Sequence, residues 1–213
     1  VNRTARIVLP AITIIDNFLK DPWAARREAL ALDYDASAQN GSFPGLNSGS
    51  PLDTEALDAS VSRLLGVKVT GAKGTQHGHC RLTRKGDKGK SGVHIDPAFY
   101  SGILYLSRPE DCAKPIAGGT DFFRHKRTGL EAVPQDASGI SAAGYPDINA
   151  LIDGVVNTDT TLPAKWERTM RVPARFNRLL LFSPWQFHNA APGFGQAGED
   201  ARLVMLLFFA RAG

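Results

Sequence analysis

Cysteine is scarce: Cys80 and Cys112 are the only two in 213 residues. Two cysteines cannot build a disulfide framework, and they lack the C-x-x-C spacing of a zinc or redox motif. Both read as free thiols, which suits a reducing cytoplasm. Long apolar runs are missing too. The longest, Leu203–Ala210, has strand length and falls far short of the ~20 residues that cross a bilayer. The opening VNRTARIVLP lacks the apolar core of a signal peptide. Lys/Arg tracts are absent, so the net charge of +4 does not mark a nucleic-acid arm, although it suits an anionic ligand. No internal repeat or low-complexity segment is present, which excludes solenoids. What remains is a chain 43% hydrophobic and 22% charged, ordinary for a soluble globular protein and long enough for one domain with a large core.

Arg6–Phe18 is β-branched and apolar and predicts a strand. Asp21 and Pro22 then offer an N-cap and a first-turn proline. Trp23, Ala24, Arg27 and Leu30 follow near helical spacing. Ala36–Ser50 is rich in Gly, Ser, Asn and Pro and reads as a long loop, with Phe43, Pro44 and Gly45 as its anchor at a pocket rim. Asp53–Leu65 reads as a second helix. Its stripe is Leu57, Val61, Leu64 and Leu65, and Gly66 stops it. Val67–Thr83 holds two strands, with His77 and His79 on one solvated face. RLTRKGDKGK (residues 81–90) is a cationic turn leading toward His94. His125, within FRHKR, reads as surface. Thr128–Ala174 reads as an insertion carrying one helix over Asp147–Val156 and a short element with Trp166 and Met170; loops on a rigid scaffold carry specificity, so part of a substrate site is expected there. RFNRLLLF from Arg175 and RLVMLLFF from Arg202 are near-continuous apolar runs, as in strands buried on both faces.

The chemistry concentrates in SGVHIDPAFYSGILYL, residues 91–106. His94 and Asp96 form a His-x-Asp, and in a strand side chains i and i+2 share a face, so both can grip one metal ion. His188 lies 94 residues later in LLLFSPWQFHNAAP, after another apolar run, at the expected end of a buried strand. Two histidines and one carboxylate on one side of an iron leave positions open for a cosubstrate and dioxygen. Arg202 enters its apolar run from a polar turn. A buried cation is costly unless paired, and a carboxylate matches its planar fork.

The order of motifs extends this. GILYLS begins at Gly102, GGTDFF at Gly118 and FNRLLLF at Phe176, followed by His188 and Arg202. In that order and spacing, Thr75 to Phe209 resembles the 2-oxoglutarate/Fe(II)-dependent dioxygenases of the prolyl-hydroxylase-like group. IIDNFLKDPWAARREAL resembles the N-terminal entry of several bacterial oxygenases of that superfamily.

The resemblance implies a mainly β fold with flanking α-helices: a double-stranded β-helix (jelly roll, cupin-like) of about eight strands. The strand and helices over residues 1–66 would pack on a barrel over 67–213, with the 128–174 insertion, as one domain. It implies Fe(II) held by His94, Asp96 and His188. Arg202 and Tyr105 would bind the distal carboxylate of 2-oxoglutarate, with dioxygen as the oxidant. The products would be succinate, carbon dioxide and a hydroxylated amino acid, peptidyl side chain or small metabolite. Asp96 stands where a glycine or alanine would admit a halide, so hydroxylation is favoured over halogenation. Many relatives carry a tyrosine about ten residues before the first ligand; Arg84 stands there. The alternative is a cupin-like metal-binding or sensor protein without 2-oxoglutarate, which has no need of a buried Arg202. Nucleic acid is the weaker substrate, because no stacking platform is identified.

Overall fold

The computed structural model describes residues 9–35, 41–112 and 118–212. β1 (Ile12–Ile15) is the described core of the first expected strand; residues 6–8 of that span lie outside the described residues. α1 (Pro22–Ala31) begins as its sequence directs, with Asp21 Oδ1 accepting from the Ala24 amide at 2.9 Å. Its inward face differs from the expected stripe. Arg26 and Ala29 are buried, while Trp23 is 45% exposed and rests on Phe176. Arg26 can turn inward because its guanidinium donates to two backbone carbonyls, of Leu106 and Glu199.

β2 (Leu46–Pro51) lies inside the stretch expected to be loop; residues 36–40 of that stretch lie outside the described residues. Its order comes from pairing with β4 (His79–Thr83), not from its own weak propensity. Gly45 permits the approach: its φ is +92°, and a Cβ there would lie 2.2 Å from the Leu82 carbonyl oxygen. α2 (Glu55–Leu65) ends at Gly66, whose φ of 65° is the left-handed stop. Leu57, Val61 and Leu65 are buried, but Leu64 is exposed. Asp58 turns inward instead, accepting from the Gly71 amide and meeting His77 Nε2, each at 3.1 Å.

β3 (Val69–Gly71) precedes β4. After β5 (Tyr100–Tyr105) come α3 (Pro109–Cys112) and β6 (Thr120–His125). α4 (Ala137–Ala142) and α5 (Ile148–Leu151) follow, the latter continuing as a π-helical turn over Ile152–Asn157. β7 (Trp166–Val172), β8 (Arg178–Phe182), β9 (His188–Ala190) and β10 (Arg202–Arg211) complete the chain. One antiparallel sheet has the order β1-β8-β5-β10-β4-β2, with β3 also paired to β10; a smaller sheet has the order β7-β6-β9. The fold is a double-stranded β-helix with flanking helices, and it has ten described strands where about eight were expected. Among the described residues no helix is long and apolar enough to cross a membrane.

The large sheet is covered on both faces, which is why β8 and β10 read as continuous apolar runs. Leu104, Leu179, Leu181, Leu203 and Leu207 join Ala29, Leu57, Val61 and Leu65 of the helices on one face. Tyr105, Leu180, Phe182, Val204 and Leu206 face Phe122 and Val172 of the small sheet on the other.

β7 falls within the span expected to be an insertion, so the excursion from the barrel ends near residue 165. The excursion has its own cluster, in which Leu151, Val155 and Val156 pack with Trp166, Phe187 and Val93. His125 is fully buried against it, contrary to the surface position expected from its charged neighbours. Strand alternation explains the reversal: Arg124 and Lys126 point out, so His125 points in. Its Nε2 meets Asp159 Oδ2 and its Nδ1 meets Thr128 Oγ1, both at 3.0 Å.

Candidate metal centre and ligand cavity

His94 and Asp96 do not sit on a regular strand. His94 forms an isolated antiparallel bridge with His188 at the start of β9. The His94 amide donates to the His188 carbonyl at 3.0 Å, and the His188 amide returns the bond at 3.1 Å. Asp96 is anchored separately, its amide donating to the Pro184 carbonyl at 3.0 Å. His94 and Asp96 are thus brought together by backbone bonds to one stretch, at and just before the start of β9, instead of by a shared strand face.

The three side chains are placed so that they could hold a metal ion. One ligand atom from each of His94, Asp96 and His188 lies within 4.8 Å of the others. His94 Nε2 is 3.7 Å from Asp96 Oδ1, and His188 Nε2 is 3.3 Å from Asp96 Oδ2. Each imidazole is held by its other nitrogen. His94 Nδ1 donates to the Gly92 carbonyl at 2.9 Å and His188 Nδ1 to the Gln186 carbonyl at 2.8 Å. A carbonyl can only accept, so each Nδ1 carries a proton and each Nε2 is the atom turned toward the carboxylate. Gly92 is required for this arrangement, since a Cβ there would lie 2.0 Å from the Thr160 carbonyl oxygen.

Electrostatics hold His94 and Asp96 in ligating form and favour a proton on His188. Burial pulls the His94 imidazole down to about 4, with His188 adding to the effect and Asp96 opposing it. Burial pushes the Asp96 carboxyl up, but the charge and hydrogen bond of His188, then the charge of His94, outweigh it and hold the group at about 2. For His188 burial again acts downward, and Asp96 outweighs it and raises the imidazole. Two neutral-capable imidazoles and one ionised carboxylate fit a divalent iron.

Beside the triad lies a small cavity of about 70 Å³, bordered by Ile103, Thr120, Phe182, Arg202 and Phe208. Arg202 is 2% exposed. It makes no ion pair among the described residues; Asp200, two positions before it, instead accepts from the Gln196 and Ala197 amides. Arg202 Nε donates to the Gly118 carbonyl at 2.6 Å and an Nη to the Gly119 carbonyl at 3.4 Å. Burial lowers its guanidinium, and Tyr105 partly opposes this. Tyr105 shares the inward face of β5 with Ile103 but does not border the cavity. Its hydroxyl, fully buried, lies 2.7 Å from Thr120 Oγ1, which does border it.

A larger recess of about 500 Å³ shares Phe43, Arg81, Asp96, Leu206 and Phe208 with that cavity. Phe43 forms part of its rim, as expected, and lies against the His94 ring, with centroids 4.5 Å apart. His79 borders the recess, whereas His77 is occupied by the Phe208 backbone, Thr54 and Asp58. Arg84 is exposed beyond β4 and borders neither space. No residue of 128–174 borders either one; the excursion instead braces His94, with the Val93 amide donating to the Thr160 carbonyl at 2.9 Å. Sequence reading missed Arg81. The signal was present in HCRLT, where an arginine alternates with the apolar Cys80 and Leu82 on a strand running into the site.

Comparison with known proteins follows the same lines. A family model described as a family of unknown function (DUF6445) matches residues 94–193, from His94 to just past His188. Among curated proteins there is no match. Solved structures resemble the chain over nearly its whole length. One is the non-haem α-ketoglutarate-dependent carbocyclase SnoK of nogalamycin biosynthesis, 12% identical with a TM-score of 0.50 over 93% of this chain and 79% of that one. Two others are a Pseudomonas putida prolyl-4-hydroxylase (17%, 0.48, over 95% and 93%) and a Trichoplax adhaerens prolyl hydroxylase (14%, 0.47, over 93% and 83%). At these identities the likeness is one of fold: this chain has the double-stranded β-helix in which such oxygenases are built.

Proposed function

We infer that the protein is an Fe(II)- and 2-oxoglutarate-dependent oxygenase, folded as one domain, that hydroxylates a C–H bond of a small molecule or peptidyl side chain. The observation that carries this reading is the joint placement, around one cavity, of an oriented His94–Asp96–His188 set and a buried Arg202 without an acidic partner among the described residues. His94, Asp96 and His188 would hold the metal on one side, leaving the cavity side for cosubstrate and dioxygen. Bound iron and 2-oxoglutarate supply the oxidation, in which dioxygen is consumed, succinate and carbon dioxide leave, and one oxygen atom enters the substrate C–H bond.

The chain's residues do the positioning. The Gly92 and Gln186 carbonyls keep both imidazoles in the ligating tautomer. Gly118 and Gly119 orient Arg202, whose remaining N–H groups would receive the distal carboxylate. Tyr105 is bonded to the Thr120 hydroxyl, which borders the cavity, and would support a carboxylate bound there through it. Ile103, Phe182, Leu206 and Phe208 exclude water from the space between.

The test is anaerobic Fe(II) binding followed by 2-oxoglutarate-dependent succinate release, in the wild type and in His94→Ala, Asp96→Ala and His188→Ala. Each substitution should abolish release and most of the metal affinity. Unchanged Fe(II) binding in His188→Ala would remove the triad. Metal binding by the wild type without any 2-oxoglutarate binding would leave the metal-binding or sensor reading.

A further inference from the structure

Arg81 is the one guanidinium or ammonium group among the described residues bordering the large recess, and it borders the inner cavity as well. It projects from β4, opposite Asn47 of β2 and Val204 of β10. Its Nε donates to Asn47 Oδ1 at 2.6 Å, and its guanidinium carbon lies 5.2 Å from the centre of the Phe43 ring, which rests on His94. No carboxylate pairs with it at ion-pair distance among the described residues. Burial, then the charge of Arg202, pulls the group down to about 10, with Asp96 opposing. Arg81 therefore stands where the metal cavity meets the recess, with one edge tied to Asn47 and the other edge open.

Charge balance says what that edge is for. A metal dication with the Asp96 carboxylate, a dianionic 2-oxoacid and the Arg202 guanidinium is already neutral. Arg81, half-buried at the wall of the recess, is one positive charge beyond that set. A half-buried cation gains from a partner of opposite charge, and a monoanion removes the excess where a dianionic phosphate would overshoot it. The open edge of a guanidinium presents two parallel N–H groups, which match a carboxylate. Apart from Arg81 itself and Asp96, whose charge is counted with the metal, the described lining of the recess carries no other carboxylate, guanidinium or ammonium group. The Gln76 amide, whose Oε1 accepts from Asn47 Nδ2 at 3.1 Å, still offers its N–H groups, and His79, whose Nδ1 is committed to the Ser48 carbonyl at 2.8 Å, offers Nε2. A space of about 500 Å³ suits a small molecule.

We propose that the substrate is a small carboxylic acid whose carboxylate pairs with Arg81 beside the metal, while its remainder lies in the recess toward Gln76 and His79. This rests on the oxygenase reading above, in which Arg202 takes the cosubstrate.

The test measures binding to the full chain by ligand-observed NMR, both metal-free and loaded with Ni(II) and 2-oxoglutarate. The probes are matched pairs: free L-amino acids and aryl- or alkyl-carboxylic acids, each against its own carboxamide. Acids should bind in preference to their amides. Arg81→Gln should erase a preference of about 10- to 100-fold, and Arg81→Lys should keep part of it. The affinity for 2-oxoglutarate should stay within about threefold in Arg81→Gln, because its charge-assisted bonds are assigned to Arg202. Equal binding of acids and amides, no binding of any acid, or an acid preference that survives in Arg81→Gln overturns the proposal. Loss of 2-oxoglutarate affinity in Arg81→Gln as large as that in Arg202→Met overturns it too, and leaves the oxygenase reading standing. Arg81-dependent acid binding in a chain that binds no 2-oxoglutarate has the opposite result: the anion site stands and the oxygenase reading falls.

Discussion

Replacing Arg202 with methionine keeps the length of the buried stem and removes the charge. In the wild type the guanidinium uses Nε on the Gly118 carbonyl and one Nη contact on Gly119, and it stands 5.8 Å from the centre of the Tyr105 ring. Among the described residues, the N–H groups left over are the cavity's only strong donors from a cation apart from Arg81. A charge-assisted pair lost from a dry site costs about 2–4 kcal/mol of cosubstrate binding, which is roughly a 30- to 1,000-fold rise in Kd. Metal affinity should change by less than about threefold, because none of the three ligands is touched. The fold loses a donor to Gly118, at about 1–3 kcal/mol, and this is partly offset because no lone charge is then buried. Titration of 2-oxoglutarate into anaerobic Fe(II)-loaded protein measures the first effect, Fe(II) titration the second and thermal unfolding the third. A folded Arg202→Met variant with wild-type 2-oxoglutarate affinity would refute the assignment of Arg202 and the reaction class built on it.

Metal affinity should fall with pH. Asp96 raises His188 above the ordinary imidazole value of 6.5, so a proton competes with the metal there as pH drops through that range. The loss should approach about tenfold per pH unit, as one proton is displaced per metal bound, while His94, at about 4, adds nothing until far lower. A flat Co(II) affinity from pH 8 to about pH 5.5 would contradict this. Gly92→Ala drives a methyl into the Thr160 carbonyl and shifts the acceptor of His94 Nδ1, so Co(II) affinity should drop about 10- to 100-fold with the ligands intact; wild-type affinity would mean that the Gly92 carbonyl does not orient the ring. Asp159→Ala strands the buried His125 Nε2 and should lower stability by about 1–3 kcal/mol in chemical denaturation. An unchanged midpoint would show that His125 does not pin the excursion.

The candidate metal triad was legible because such chemistry demands particular residue types, and the strands β8 and β10 because burial on both faces leaves near-continuous apolar runs. The features that escaped are those created by partners distant in sequence. LNSGSP has poor strand propensity and becomes β2 only by pairing with β4. Arg26 and Asp58 face inward because backbone groups far along the chain receive them, displacing Trp23 and Leu64 from the expected stripes. The His-x-Asp spacing suggested one strand face, yet His94 and Asp96 are held by separate bonds to the segment before β9. The tyrosine position of relatives, counted by residue number, falls on Arg84, whereas strand alternation, which sets direction, points to Arg81.

The mutual backbone bonds between His94 and His188 tie the chain into a closed loop, with the candidate metal ligands at its neck. The described residues between 95 and 187 lie within that loop, including β5 to β8 and the excursion that ends near residue 165, with β5 and β8 also paired to β10 and β1 outside it. A metal bound at the neck fastens the loop a second time at the same point. Stabilisation by metal should therefore act on the whole intervening segment together, and a chain cut anywhere within that loop should still hold its ion for as long as the two pieces remain packed.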